Sequence, residues 1–209
     1  MSRTSRVVHL QNHVPPETLK FFQESIIPDR WTKGTTSSDD DRKSGQLLNY
    51  SKGCVHDRQY ISDNLHGKDL RTKIYNEMFN ILEPINHAHW NFALEGFSTV
   101  DNPHYILYKG EDNAKFDWHQ DDFDMSSEAL KAANYNPNNA RKLTIMICLN
   151  SASDYTGGSF QIDAEYNGDI FPDRGDVVVW PGYVKHRCTV VESGERLILV
   201  GFCHGPTFV

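Results

Sequence analysis

Residues 176–204 read DVVVWPGYVKHRCTVVESGERLILVGFCH. Three runs rich in β-branched and aromatic residues, 176–180, 186–192 and 196–204, are separated by Pro-Gly and Ser-Gly. Runs of this kind, punctuated by turn residues, read as successive strands. His186 opens the second run, a turn is expected at Glu192-Ser193-Gly194, and Arg196 opens the third run. Arg196 leads into an apolar stretch, so its guanidinium is expected to be buried or half-buried. A buried unpaired charge is costly. The strand itself holds no acidic residue, and a bound carboxylate would serve as partner.

Five further runs precede these three: HWNFALEGF (89–97), HYILYKG (104–110), KFDWHQ (115–120), KLTIMICLN (142–150) and GSFQIDA (158–164). Eight strands with regular turn signals predict a mainly β fold, a double-stranded β-helix (jelly roll) with N-terminal supporting helices. A short strand is expected at 6–11 and a helix at 16–27, with proline in its first turn and Leu19, Phe22 and Ile26 at helical spacing. A second helix is expected from about Lys68 to Leu82, with an apolar stripe of Leu70, Ile74, Met78, Ile81 and Leu82 and Pro84 as its stop. Residues 28–46 are polar with no apolar period and read as a long loop, disordered or a flap. A helical insert is expected at 126–134. Residues 1–209 are therefore expected to form a single domain: a helical buttress and flexible loop over 1–88, and a jelly-roll catalytic core over 89–209.

The chain of 209 residues carries a net charge of −7, which argues against a nucleic-acid or membrane-surface partner held by charge. No apolar stretch is long enough to cross a membrane, and the N-terminus lacks the apolar stretch of a secretory signal, so a cytoplasmic location is expected. The four cysteines, Cys54, Cys148, Cys188 and Cys203, form no CxxC pair and are expected to be reduced.

His119 and Asp121 lie two apart at the end of the KFDWHQ run. Residues two apart on a strand share a face, so both side chains can converge on one ion. With His186 they make two histidines and one carboxylate, the facial triad that leaves metal positions open and suits non-heme Fe(II). An arginine beside such a centre suits bidentate recognition of a carboxylate.

From about residue 89 onward the chain resembles the 2-oxoglutarate- and Fe(II)-dependent oxygenases, within them the prolyl 4-hydroxylase-like branch that includes the PKHD-type hydroxylases. The matching pieces come in the family's order: YILYKG, F-x-x-H-x-D (Phe116 to Asp121), RKLTIMICLN, Y-x-G-G (Tyr155 to Gly158), R-G-D-x-x-x-W-P (Arg174 to Pro181) and H-x(9)-R (His186 to Arg196). The near-terminal HGPTF also fits the PKHD group. The resemblance implies that His119, Asp121 and His186 hold iron. It implies that Arg196 pairs with the far carboxylate of 2-oxoglutarate and that Tyr108 adds a hydroxyl bond, with Tyr105 the alternative. Thr144, Met146 and Cys148 share a strand face that would line the cosubstrate pocket, with Thr144 the polar contact. Cys148 stands where relatives often carry tyrosine, and Cys188 where valine is common. The implied reaction is hydroxylation of an unactivated C–H bond of a prolyl, peptidyl or amino-acid-like substrate, with release of succinate and CO2. Fe(II), 2-oxoglutarate and O2 are the implied cofactors, with ascorbate as an auxiliary reductant.

Other polar residues have plainer readings. His87-Ala88-His89 reads as a helix-to-strand junction, Cys54-Val55-His56 lacks a second zinc pair, and Asp122 and Asp124 serve equally to solvate a loop. Trp118 and Trp180 suit a strand core, Arg141 a surface ion pair, and His204 an exposed position past the last strand. Two competing function classes remain. One is a cupin-like metal-binding module, against which Arg196 counts. The other is a metal-dependent hydrolase or isomerase on the same fold.

Overall fold

A computed structural model of the chain describes residues 6–34, 55–99, 101–121, 139–163 and 168–207. The insert expected at 126–134 and residues 35–46 of the expected loop lie outside the described residues.

Helix α1, Pro16–Glu24, carries proline in its first turn and buries Leu19 and Phe22. After the one-turn helix α2, Asp63–His66, comes the long helix α3, Lys68–His89. It buries Ile74, Tyr75, Met78, Ile81, Leu82, Ile85 and Asn86. Pro84, expected to stop it, lies inside it. A proline in a helix interior costs about 3 kcal/mol through its missing donor and a ring clash. Here its ring is exposed, and Ile85 continues the stripe begun by Ile81 and Leu82, so packing carries the helix onward. The end comes at Trp90, where Asn86 Nδ2 donates to Phe92 O (2.9 Å) and Oδ1 accepts from Phe92 N (3.0 Å). That turn consumes most of the strand expected at 89–97, leaving only β4, Gly96–Phe97.

The other strands are β1 (Val8–Leu10), β2 (Thr32–Gly34), β3 (His56–Tyr60), β5 (His104–Lys109), β6 (Phe116–His119), β7 (Asn139–Cys148), β8 (Tyr155–Gly157), β9 (Phe160–Ile162), β10 (Val177–Pro181), β11 (His186–Cys188) and β12 (Val191–Pro206). The large sheet runs β1-β10-β7-β12-β5-β3-β2, with β4 and β8 also paired to β12, and a small sheet runs β6-β11-β9. Three strands of the large sheet, β1, β2 and β3, come from the first 88 residues, so the expected buttress also builds the sheet. No reversal occurs at Glu192–Gly194. There β12 pairs with β8, with a bulge between Val191 and Ser193, and then joins β5 and β7. Gly194 has φ 71°, and a Cβ on it would stand 2.0 Å from Asp154 O, so this close crossing requires glycine.

Side chains alternate between the two faces of the large sheet. Tyr105, Leu143, Ile145, Ile147, Leu149, Val177, Val179 and Leu199 form one core with α1 and α3. Ile106, Tyr108, Met146, Cys148, Val178, Trp180, Ile198 and Val200 form a second core with Phe160, Ile162 and Cys188 of the small sheet. This inner space holds the site.

His104 is 5% exposed on β5, between the rings of Tyr60 (5.1 Å) and Phe202 (6.0 Å). Burial, followed by the charge of Arg58, pushes its imidazole down to about 3 from an ordinary value of 6.5. Between those pH values the unfolded chain binds the extra proton and the folded chain does not. Stability therefore rises with pH across this window and is lost as pH falls. Burial pushes His56 the same way, to about 2. His104→Phe should flatten the slope of unfolding free energy against pH, measured by urea denaturation from pH 4 to 7. An undiminished slope would place the acid sensitivity elsewhere.

Candidate metal centre and carboxylate pocket

The small sheet sets the two histidines side by side, because His186 on β11 pairs in register with His119 on β6. Cys188 pairs with Phe116, so two steps on β11 span three on β6. This bulge re-aims the strand locally. Phe116 and His119 both face inward, and their rings stack at 3.7 Å and 17°. The His119 and His186 ring centroids lie 4.2 Å apart. Asp121 follows the strand end, where its amide donates to Gly182 O at 2.9 Å and ties it to the β10–β11 connection.

One donor atom from each of His119, Asp121 and His186 lies within 4.8 Å of the other two. His119 Nε2 is 3.7 Å from Asp121 Oδ1, and His186 Nε2 is 3.6 Å from Asp121 Oδ2. Each histidine turns Nδ1 to a backbone carbonyl two residues back, Asp117 O at 2.7 Å and Val184 O at 2.9 Å. A carbonyl accepts only from an N–H, so Nδ1 carries a proton in both rings and Nε2 is the atom each turns to the cluster. Burial, then the nearby His186, pushes His119 down to about 4. Burial alone would raise Asp121, but His186, His119 and Arg141 outweigh it and hold its carboxyl below the usual range. Near neutral pH the cluster is thus a neutral imidazole beside an ionised carboxylate, the state that binds a divalent cation. This donor set fits Fe(II) with positions left open.

Arg196 is 1% exposed and pairs in register with Tyr108, whose ring centroid lies 5.5 Å from the guanidinium carbon. Nη1 lies 3.6 Å from Cys188 Sγ, Nη2 lies 3.3 Å from Met146 Sδ, and among the described residues Nε has no hydrogen-bond partner. Among the described residues no carboxylate pairs with it. Tyr155, missed as a site residue by sequence reasoning, packs at the same place. Gly158, with φ 64°, passes so close that a Cβ would stand 3.2 Å from Arg196 Cδ and 3.4 Å from Tyr155 Cε2. The Y-x-G-G pattern was the available signal, since its second glycine lets the chain cross over Arg196.

Other expectations divide. Tyr105 faces the outer core and donates to Phe22 O at 2.9 Å, so of the two tyrosines only Tyr108 lies beside Arg196. Met146 and Cys148 face the inner core as alternation predicts. Thr144 Oγ1, expected at a cosubstrate, donates to Asp121 Oδ2 at 2.6 Å. Trp180 is buried against Phe160 and His186, whereas Trp118 stacks with Arg187 at 4.7 Å. Arg141 grips Asp101 with two bonds of 2.6 Å, and His204, expected to be exposed, is 1% exposed and reaches the same carboxylate at 3.0 Å. His87 and His89 end α3 away from the cluster. Cys54, Asp122 and Asp124 lie outside the described residues, while Cys148, Cys188 and Cys203 are buried free thiols.

Residues 103–204 match the family model of the 2OG-Fe(II) oxygenase superfamily. A PKHD-type hydroxylase of Psychrobacter sp. (strain PRwf-1) is 39% identical over 59 residues, 28% of this chain and 23% of that protein. Another, of Synechococcus sp. (strain CC9311), is 27% identical over 125 residues, 58% of this chain and 52% of that protein. The chain thus spans about half or less of the curated relatives it matches. Two solved structures share the fold. A Pseudomonas putida prolyl-4-hydroxylase has TM-score 0.62 at 18% identity, covering 98% of this chain and 95% of that one. A Trichoplax adhaerens prolyl hydroxylase, solved with a hypoxia inducible factor peptide fragment, has TM-score 0.64 at 11% identity, covering 96% and 84%. Residues 103–204, which contain the His-Asp-His cluster, thus belong by their family model to the 2OG-Fe(II) oxygenase superfamily, and the chain shares the fold of the prolyl hydroxylase structures.

Proposed function

We propose that the chain is an Fe(II)- and 2-oxoglutarate-dependent hydroxylase of an unactivated C–H bond in a prolyl, peptidyl or amino-acid-like substrate, releasing succinate and CO2. The observation that carries this reading is Arg196, a buried cation without a protein carboxylate among the described residues, on the same inner face as the His119–Asp121–His186 cluster. Leaving a guanidinium so placed without an anion is expensive, and a dicarboxylic cosubstrate supplies one. A hydrolase using a metal-bound water needs no such arginine.

In this reading His119, Asp121 and His186 hold Fe(II). Arg196 binds the far carboxylate of 2-oxoglutarate through its planar fork, Tyr108 adds a hydroxyl bond, and Met146, Cys148 and Cys188 wall the pocket. Fe(II) held there would supply oxygen activation coupled to decarboxylation of the cosubstrate. The protein's part is to fix the donors, turn both Nε2 atoms to the cluster and exclude water from the inner core. The names of the prolyl hydroxylases with this fold favour a prolyl or peptidyl target. Use of ascorbate as reductant and a cytoplasmic location belong to the same reading. No described helix is long and apolar enough to cross a membrane.

Anaerobic addition of Fe(II) and then 2-oxoglutarate should produce a weak visible charge-transfer band. Arg196→Ala should weaken 2-oxoglutarate binding by about 100-fold or more, the scale of a broken buried ion pair, while iron still binds. Unchanged cosubstrate affinity in that variant would move the anchor elsewhere. Tyr108→Phe should weaken 2-oxoglutarate binding roughly tenfold or more, the worth of one bond to a charged group. Tyr105→Phe should lower the melting temperature and leave that affinity alone, and the opposite pattern would reverse the assignment. Asp121→Ala should abolish iron binding and release of labelled CO2, and normal release would exclude the cluster as the centre.

A further inference from the structure

Among the described residues every polar atom of Asp121 but one has a hydrogen-bond partner. Its amide donates to Gly182 O at 2.9 Å, and its carbonyl accepts from Arg141 Nη1 at 3.1 Å. Oδ2 accepts from Thr144 Oγ1 at 2.6 Å and from Trp180 Nε1 at 2.9 Å. Among the described residues Oδ1 accepts no hydrogen bond; His119 Nε2 lies 3.7 Å from Oδ1 and His186 Nε2 lies 3.6 Å from Oδ2, so the two oxygens differ in their hydrogen bonds and not in their distance from the histidines. A carboxylate oxygen offers two lone pairs, and two donors fill both of those on Oδ2. Thr144 and Trp180 are cross-strand partners in the β7–β10 register, so their donors arrive side by side. Both are buried, at 0% and 3% exposure, and the Trp180 ring is fixed between Phe160 (4.6 Å) and His186 (4.8 Å).

We infer that Thr144 and Trp180 are positioning residues that restrict Asp121 to binding the metal through Oδ1 alone. The inference rests on the iron reading above and adds to it what limits the carboxylate to one oxygen. Three protein donors on a six-coordinate ion leave three positions, two for a chelating 2-oxo acid and one for oxygen. A second oxygen from Asp121 would take the third. Thr144 and Trp180 act on the reaction by holding Oδ2 away from that position.

The test uses Thr144→Val, Trp180→Phe, the double variant and Thr144→Ser, which keeps the hydroxyl. All should bind Fe(II) and 2-oxoglutarate anaerobically and show the visible band. On mixing with oxygenated buffer, the band of the double variant should decay at least about tenfold more slowly than that of the unmodified chain, the scale of one lost bond to a charged group. Thr144→Ser should decay at the original rate. In Co(II)-substituted protein without 2-oxoglutarate, the visible d–d bands should change intensity in the double variant, as expected for an added ligand. Should the double variant fail to fold, each single variant carries the same two readouts with smaller changes. Unchanged decay and unchanged Co(II) bands in the variants, with the band present in the unmodified protein, overturn this inference and leave the iron reading intact. Absence of the band in the unmodified protein overturns both.

Discussion

Strand β7 is buried on both sides, and the rest of the molecule is arranged around that fact. Leu143, Ile145, Ile147 and Leu149 face the helices, while Thr144, Met146 and Cys148 face the small sheet. A one-residue slip would exchange the two sets and send Thr144 into the helical core. Register is therefore fixed by burial on both faces. Through the pairing of Thr144 with Trp180 and of Ile198 with Cys148, it fixes the depth of Asp121 and Arg196 in the same inner space.

That space is chemically graded. At one place it gathers two imidazole Nε2 atoms and a carboxylate, held by backbone carbonyls and by the Thr144 and Trp180 donors. At another it surrounds a guanidinium with thiols, a thioether and two tyrosines, groups too weak to neutralise it. The protein keeps a buried cation in a soft, nearly apolar wall, and the cost of doing so is offset when an anion binds. Cys148 and Cys188 both belong to that wall.

The strands that alternate or run continuously apolar were legible, because their burial is written in hydrophobicity. The triad was legible because strand spacing, and the register it implies, carries the geometry. Strand β3 was not. Its sequence HDRQY has no apolar period, yet four of its five residues are buried through specific bonds. Asp57 pairs with Lys109 at 3.0 Å, and Gln59 bonds the backbone of Ile27 in both directions. Such satisfaction depends on partners distant in sequence and leaves no local pattern. The passage of α3 through Pro84 was hidden for a related reason, since tertiary packing outweighed a local breaker. His204 looked terminal and exposed, but β12 runs on to Pro206 and buries it against Asp101. Thr144 was placed on the correct face and given the wrong partner, because face follows from periodicity while partner follows from where Asp121 ends up.

The proposed activity needs two sites together, a metal on the His119–Asp121–His186 cluster and a dicarboxylate reaching from it to Arg196. The most direct measurement is an anaerobic crystal structure with Fe(II) and 2-oxoglutarate, with anomalous data collected at the iron edge. The expected map shows one anomalous peak bound by both Nε2 atoms and Asp121 Oδ1, with the far carboxylate of 2-oxoglutarate on the Arg196 guanidinium. Iron bound elsewhere, or 2-oxoglutarate anchored away from Arg196, would contradict the proposed activity.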